Sequence, residues 1–253
     1  MNSQLTREQQ KAICSQLGRV KLQLLYKASV HGFTGAAFHQ RCDNQGPTVS
    51  VGFNATGHVF GGYTRQGFSQ SGQYVCDDQA FVFTLQGEKL LQYPVTTSAY
   101  AVKMVGNCGP YFGEALVLIY GSQAVVYSGP GNYYTFNAAE MHGNDLNMTE
   151  CEVYQVQAIP QLVLMTKVDE VCPFVAQDIR NIYKSGYIKE VMQETSARLG
   201  VPLSCVIPVK NYSQELELDP DCDILLLSAV IQMLRFADNY FDELSDRLRN
   251  IET

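Results

Sequence analysis

Thr48-Val49-Ser50-Val51-Gly52-Phe53, then Asn54-Ala55-Thr56-Gly57, then Val59-Phe60-Gly61-Gly62-Tyr63, is the stretch on which the fold reading turns. Val49, Val51 and Phe53 alternate with small or polar residues, the period-two signature of a β-strand. Asn54 to Gly57 carries the turn chemistry that folds such a strand back on itself. Further strand candidates lie at 80–85, 116–120, 124–127 and 151–156, with Gly, Asn, Asp and Pro between them. Many short strands with turn signals predict an antiparallel β-sandwich rather than alternating β-α units. Two helices flank it in the reading. One is capped by Thr6 with Gln9 three places on, as in a capping box, and the other spans about 34–41 after an apolar segment at 22–26.

The texture changes near Gln157. Gln161-Leu162-Val163-Leu164-Met165 reads as a buried parallel strand over 161–166. Helices over about 173–199, a strand at 203–209 and a last helix over about 221–249 follow. Pro173 suits a first helical turn, Gly200 with Pro202 a helix stop, and Asp219-Pro220 a helix start. The stripe Leu227, Val230, Ile231, Leu234, Ala237, Phe241, Leu244 and Leu248 keeps helical spacing and is read as a core face. The expected class is α+β, with residues 1–156 an antiparallel sandwich and 157–253 a partial α/β segment of two parallel strands with helices. That second segment leaves its first strand with an unpaired edge.

Composition narrows the function classes. Of 253 residues, 46% are apolar and 17% charged, as in ordinary folded proteins. The net charge of −7 argues against nucleic acid or an anionic membrane surface as the main partner. Residues 1–156 carry 9 basic and 10 acidic side chains and 157–253 carry 9 and 15, which sum to the 18 and 25 of the whole chain. No run of about 20 apolar residues suggests a membrane span. The start, Met1-Asn2-Ser3-Gln4, has neither the basic nor the apolar region of a signal peptide, so a cytoplasmic location is expected. The eight scattered cysteines then read as reduced thiols, and the N-x-[ST] triplets at Asn54, Asn147 and Asn211 as unmodified.

Thr166-Lys167-Val168-Asp169 is the clearest chemical motif. An Asp at the carboxyl end of a strand can accept both N–H donors of guanine, while the Lys stem lies along the base. The phosphate end of such a site needs G-x-x-x-x-G-K-[ST], yet the dipeptide Gly-Lys occurs nowhere in the chain. Asp43-Asn44-Gln45-Gly46 matches a D-x-x-G switch only formally and reads as a turn. His39 and Cys42 have i, i+3 spacing, but no neighbour completes a metal shell, so no metal and no cofactor is expected. Glu114, beside an apolar strand, would have a raised pKa if buried there, and is read in the first place as a structural residue at a sheet corner.

Several ordered motifs carry a family resemblance. Tyr26-Lys27-Ala28-Ser29-Val30-His31-Gly32-Phe33, Phe38-His39-Gln40-Arg41-Cys42, Phe60-Gly61-Gly62-Tyr63-Thr64, Tyr111-Phe112-Gly113-Glu114 and Cys151-Glu152-Val153-Tyr154 together resemble a TLDc domain over about 20–156. The resemblance implies two face-to-face antiparallel sheets with short helices and no agreed catalytic residue. It also implies a role in oxidation resistance or at the vacuolar proton ATPase as one alternative. The later Val163-Leu164-Met165-Thr166-Lys167-Val168-Asp169, Arg198-Leu199-Gly200-Val201-Pro202-Leu203-Ser204 and Asn211-Tyr212-Ser213 ahead of Glu217-Leu218-Asp219 resemble the C-terminal part of the interferon-induced protein 44 family. Full-length members join a TLDc domain to a P-loop GTPase-like domain, so this chain looks like an internally deleted member that resumes at the fifth strand.

Carried over by that resemblance, Thr166, Lys167 and Asp169 would read guanine, and Val209 and Lys210 would bring a backbone N–H to the guanine carbonyl. Without the phosphate loop, catalysis is not expected, and guanine-nucleotide binding or GTPase activity is a secondary alternative. The leading expectation is a non-enzymatic interaction protein of innate antiviral defence, with protein partners bound through the TLDc domain.

Overall fold

The computed structural model describes residues 2–212 and 217–249, with side chains through 241. The chain divides into two compact units, Met1–Ile159 and Pro160–Thr253. In chain order the first unit holds α1 (Arg7–Leu17), β1 (Val20–Lys27), α2 (Ala28–His31), α3 (Gly35–Cys42), β2 (Thr48–Asn54), β3 (Val59–Thr64), β4 (Tyr74–Val75), β5 (Phe81–Gln86), β6 (Lys89–Pro94), β7 (Val102–Lys103), β8 (Tyr111–Phe112), β9 (Leu116–Val117), β10 (Tyr127–Ser128), α4 (Ala138–His142) and β11 (Met148–Ala158). The strands form two antiparallel sheets, ordered β1-β11-β2-β3-β5-β6 and β10-β9-β8-β7-β4.

Tyr26, Phe60, Val82 and Val153 from the larger sheet share one core with Val102, Phe112 and Leu116 from the smaller. The outer face of the larger sheet is also covered. Val49, Val51, Phe81 and Phe83 pack there with Leu5 and with Ile13 of α1. β2 is therefore buried along its whole length. Its period-two pattern sorts large from small residues, not core from solvent. The small positions make room for neighbours: a Cβ on Gly52 would sit 3.1 Å from Phe60, and one on Gly62 only 2.6 Å from the Phe112 ring.

Local signals held where they were strongest. Gln9 N–H donates to Thr6 Oγ1 and Thr6 N–H to Gln9 Oε1, closing the capping box of α1. Thr34 caps α3 through a single bond, its Oγ1 accepting from Ala37 N–H. Other elements differ from the sequence reading. The candidate at 116–120 shortens to β9, because Ile119 is left-handed and starts a 3-10 turn. The one at 124–127 reduces to a bridge at Val125 and the short β10. β6 was not anticipated: as the edge strand it is half exposed, so its alternation is weak.

The second unit holds β12 (Val163–Met165), α5 (Val168–Val171), α6 (Pro173–Gln177), α7 (Gly186–Leu199), β13 (Val206–Pro208) and α8 (Pro220–Arg249). β12 and β13 run parallel, with Val163 opposite Val206 and Met165 opposite Pro208. Among the described residues they form a two-stranded sheet, so β12 has the expected free edge. The region 173–199 is broken rather than continuous. Asp178 is extended and its carboxylate accepts from Arg180 N–H, which ends α6 and starts a 3-10 turn over Ile179–Lys184. The strand at 203–209 begins only at Val206, since Cys205 N–H bonds Pro202 O in a preceding turn.

The core of this unit is Val168, Val175, Ile182, Ile188 and Leu225. α8 corrects the sequence reading. Cys222, Leu225 and Ala229 are its buried positions, whereas Leu227, Val230, Ile231, Leu234, Ala237 and Phe241 are exposed. A helix apolar on two sides has a stripe on each, and periodicity cannot say which one packs. The side chains of Leu244 and Leu248 lie outside the described residues, as does Ser213. Over Pro220–Phe241 this helix is also long and apolar enough, by length and composition, to cross a membrane, which the sequence reading did not foresee.

Candidate functional site

The residues of the guanine-reading motif separate in the structure. Thr166 is exposed just past β12. Lys167 takes a left-handed backbone at φ 61° and caps α5, and its ammonium pairs with Glu170 at 3.1 Å. Val209 is buried, and its N–H donates to Met165 O at 2.9 Å, continuing the parallel ladder. That donor is therefore already committed. Asp169 and Lys210 do converge: both line a cavity of about 370 Å³ within the second unit.

The rest of that lining was not singled out from the sequence. Asp178, Arg180, Asp219 and Asp221 contribute its other charges. The Arg180 guanidinium grips Asp178 through Nε at 2.8 Å and Nη2 at 2.9 Å. This contact holds the Asp178 carboxyl below its ordinary range. Asp219 Oδ1 accepts from Asp221 N–H at 3.0 Å at the start of α8. Of these four residues the sequence reading named only Asp219, as part of a helix start, which announces a cap rather than a cavity. Four carboxylates against two cations leave the lining acidic, a poor match for a triphosphate but compatible with a neutral group rich in N–H donors.

In the first unit the buried ionisable groups are tied into structure. Glu152 accepts from Lys27 Nζ at 2.5 Å, from Gln4 N–H at 2.9 Å and from the Tyr154 hydroxyl. Glu150 accepts from the N–H groups of Ser29 and Cys151 at 3.0 and 2.9 Å. Asp77 holds Thr64 Oγ1 at 2.8 Å and Arg65 N–H at 2.7 Å. His39 bridges Asp43 and Val105 O. Among the described residues, no group of three or more His, Cys, Asp or Glu could hold a metal ion. All eight cysteines are free thiols: Cys42, Cys108, Cys151, Cys172 and Cys222 are buried, whereas Cys76 is exposed. Burial pushes the Cys42 thiol up. Asn54 is buried and donates to His142 O at 2.8 Å, so its triplet is not an accessible glycosylation acceptor.

Glu114 lies at the sheet corner between β8 and β9, as its structural reading has it, and is not buried. It projects from the sheet surface instead of into the core, and accepts from the Tyr74 hydroxyl at 2.6 Å and Lys103 Nζ at 3.2 Å. The tyrosine hydrogen bond, then the lysine, lowers its pKa rather than raising it. Around this pair lies a half-exposed tyrosine patch on the smaller sheet. Tyr100 stacks on Tyr133 at 4.7 Å and meets Tyr74 edge-on at 5.1 Å. Lys103 sits 4.8 Å above the Tyr74 ring and 5.5 Å above that of Tyr111. Burial pushes the Tyr111 hydroxyl up to about 12, so it stays a hydrogen-bond donor across the physiological range.

Comparison with known proteins agrees with the first unit. The TLDc domain family model matches residues 1–157. A stretch of 86 residues, 34% of the chain, is 38% identical to interferon-induced protein 44-like of Homo sapiens and covers 19% of that protein. Interferon-induced protein 44 of Homo sapiens matches at 35% over 86 residues, with the same coverage of 34% and 19%. The Mus musculus protein 44 matches at 29% over 114 residues, 44% of this chain and 27% of that protein. The chain thus spans between 19% and 27% of the length of these relatives.

Proposed function

The chain belongs to the TLDc domain family, and from that premise we propose that it is a non-enzymatic interaction protein of the interferon-induced antiviral response. Protein partners bind through the TLDc unit. The observation that carries this reading is the patch of Tyr74, Tyr100, Tyr111 and Tyr133 around Lys103 and Glu114. Rigid, amphipathic tyrosines offer large contact area at small entropic cost, and they are enriched at the centres of protein interfaces. The interferon setting rests on similarity to proteins bearing that name. Affinity capture from interferon-treated cells tests it, comparing the intact chain with Tyr100→Ala/Lys103→Glu. The reading expects a set of proteins retained by the first and lost by the second. Identical recoveries would sink it.

A second reading has one observation in its favour: Asp169 and Lys210 face the same cavity. On this reading the second unit keeps the base-reading part of a guanine-nucleotide site inherited from a GTPase-like ancestor. Calorimetry with GTP and GDP, with and without Mg²⁺, separates the two. Micromolar binding abolished by Asp169→Ala would establish it over the first.

A further inference from the structure

α8 uses one of its two apolar faces within its own unit and leaves the other uncovered. Leu225 turns into the core. Ile224, Leu227, Ile231, Leu234 and Phe241 are each between 49% and 60% exposed. Their spacing of three, four, three and then seven residues is that of a heptad seam, with Asp238 in the intervening seam position. The sequence continues the same spacing at Leu248. With Val230, these side chains expose roughly 600 Å² per copy, at the upper end of the largest patch a typical monomer leaves uncovered. Two such faces together remove on the order of 1,200 Å², the lower bound for a specific protein interface.

We propose that α8 is a self-association helix whose seam pairs, antiparallel, with α8 of a second copy of this chain. Charge selects the orientation. Parallel pairing would set Asp238 against the partner's Asp238 in the same seam layer. An antiparallel register centred on Phe236 instead brings Asp238 beside the partner's Arg235 and Ile231 against the partner's Phe241. The same two charges disfavour a lipid partner. Arg235 and Asp238 lie within or beside the apolar stripe, and the first turn carries Asp221 and Asp223 rather than the basic residues that anionic lipid attracts.

Sedimentation velocity on the full chain up to ~100 μM tests the pairing by mass action. A concentration-dependent dimer is expected, with Leu227→Glu/Leu234→Glu weakening it at least ~tenfold while far-UV circular dichroism is unchanged. Arg235→Asp alone and Asp238→Arg alone should each dimerise less, and mixing the two variants should restore the dimer, because each then supplies the charge the other lacks. A chain that stays monomeric throughout, or a mixture no tighter than its components, overturns the proposal. So does seam-dependent binding of the monomer to phosphatidylcholine/phosphatidylserine vesicles, which would assign the face to lipid. Efficient disulfide cross-linking between copies of Ile224→Cys overturns the antiparallel orientation, since that position then lies far from its own copy.

Discussion

Glu152 shows how much one side chain can hold. Its carboxylate is inaccessible to solvent, yet it gathers Lys27 from β1, the backbone of Gln4 ahead of α1 and the hydroxyl of Tyr154. A buried carboxylate survives only where such donors replace its lost hydration. Glu152→Ala leaves the Lys27 ammonium and the Gln4 amide with fewer partners, and should cost about 3–5 kcal/mol in denaturant unfolding. A loss below about 1 kcal/mol would mean that the network contributes little. The sequence displayed Glu152 within a recognisable motif but not its burial, because its ammonium partner lies 125 residues away. Glu114 is the reverse case. Its apolar neighbours suggested burial, but it sits in the turn between β8 and β9, where it reaches Tyr74 and Lys103 at the surface.

At the scale of elements, α1 is fastened to the larger sheet mainly by Ile13, fully buried over Val49, Val51 and Phe83. Ile13→Ala should destabilise the protein by about 2–4 kcal/mol, because a short helix cannot collapse over the cavity without losing its Thr6 cap. Hydrogen exchange provides the local check: amides of α1 should exchange faster in the variant than those of β2 and β3, and uniform change across all three would contradict the role assigned to Ile13. The capping box was legible in the four residues from Thr6 to Gln9, since it is a local contact. The covering of the outer sheet face was not, because it depends on residues of α1 far from β2 in the chain. α8 failed for a related reason: its stripe has the right period, and only neighbouring elements reveal which side is covered.

For the whole molecule, acid stability follows from a histidine. His142 is buried beside Phe60, with Nε2 2.9 Å from Ser128 Oγ. Burial, reinforced by nearby His58, lowers its pKa in the folded state. The unfolded chain therefore takes up a proton near pH ~6.5 that the folded chain resists. The sign is fixed: stability is retained above that pH and falls as pH drops below it, until the folded form also protonates. Urea midpoints at pH 7.5 and 5.5 should drop with acidification in the intact chain and drop less in His142→Gln; equal drops would exclude His142 as the source.

The sequence alone determined what depends on neighbours in the chain. Helix caps, turns, strand alternation and the ordered TLDc motifs were readable because their physics is local. Only the tertiary structure decided which charges are buried, that both faces of the larger sheet are covered, that Asp169 and Lys210 share a cavity without Thr166 or Lys167, and that α8 keeps one apolar face in water. Those outcomes depend on residues brought together from distant parts of the chain, and a periodic pattern carries no record of what will pack against it.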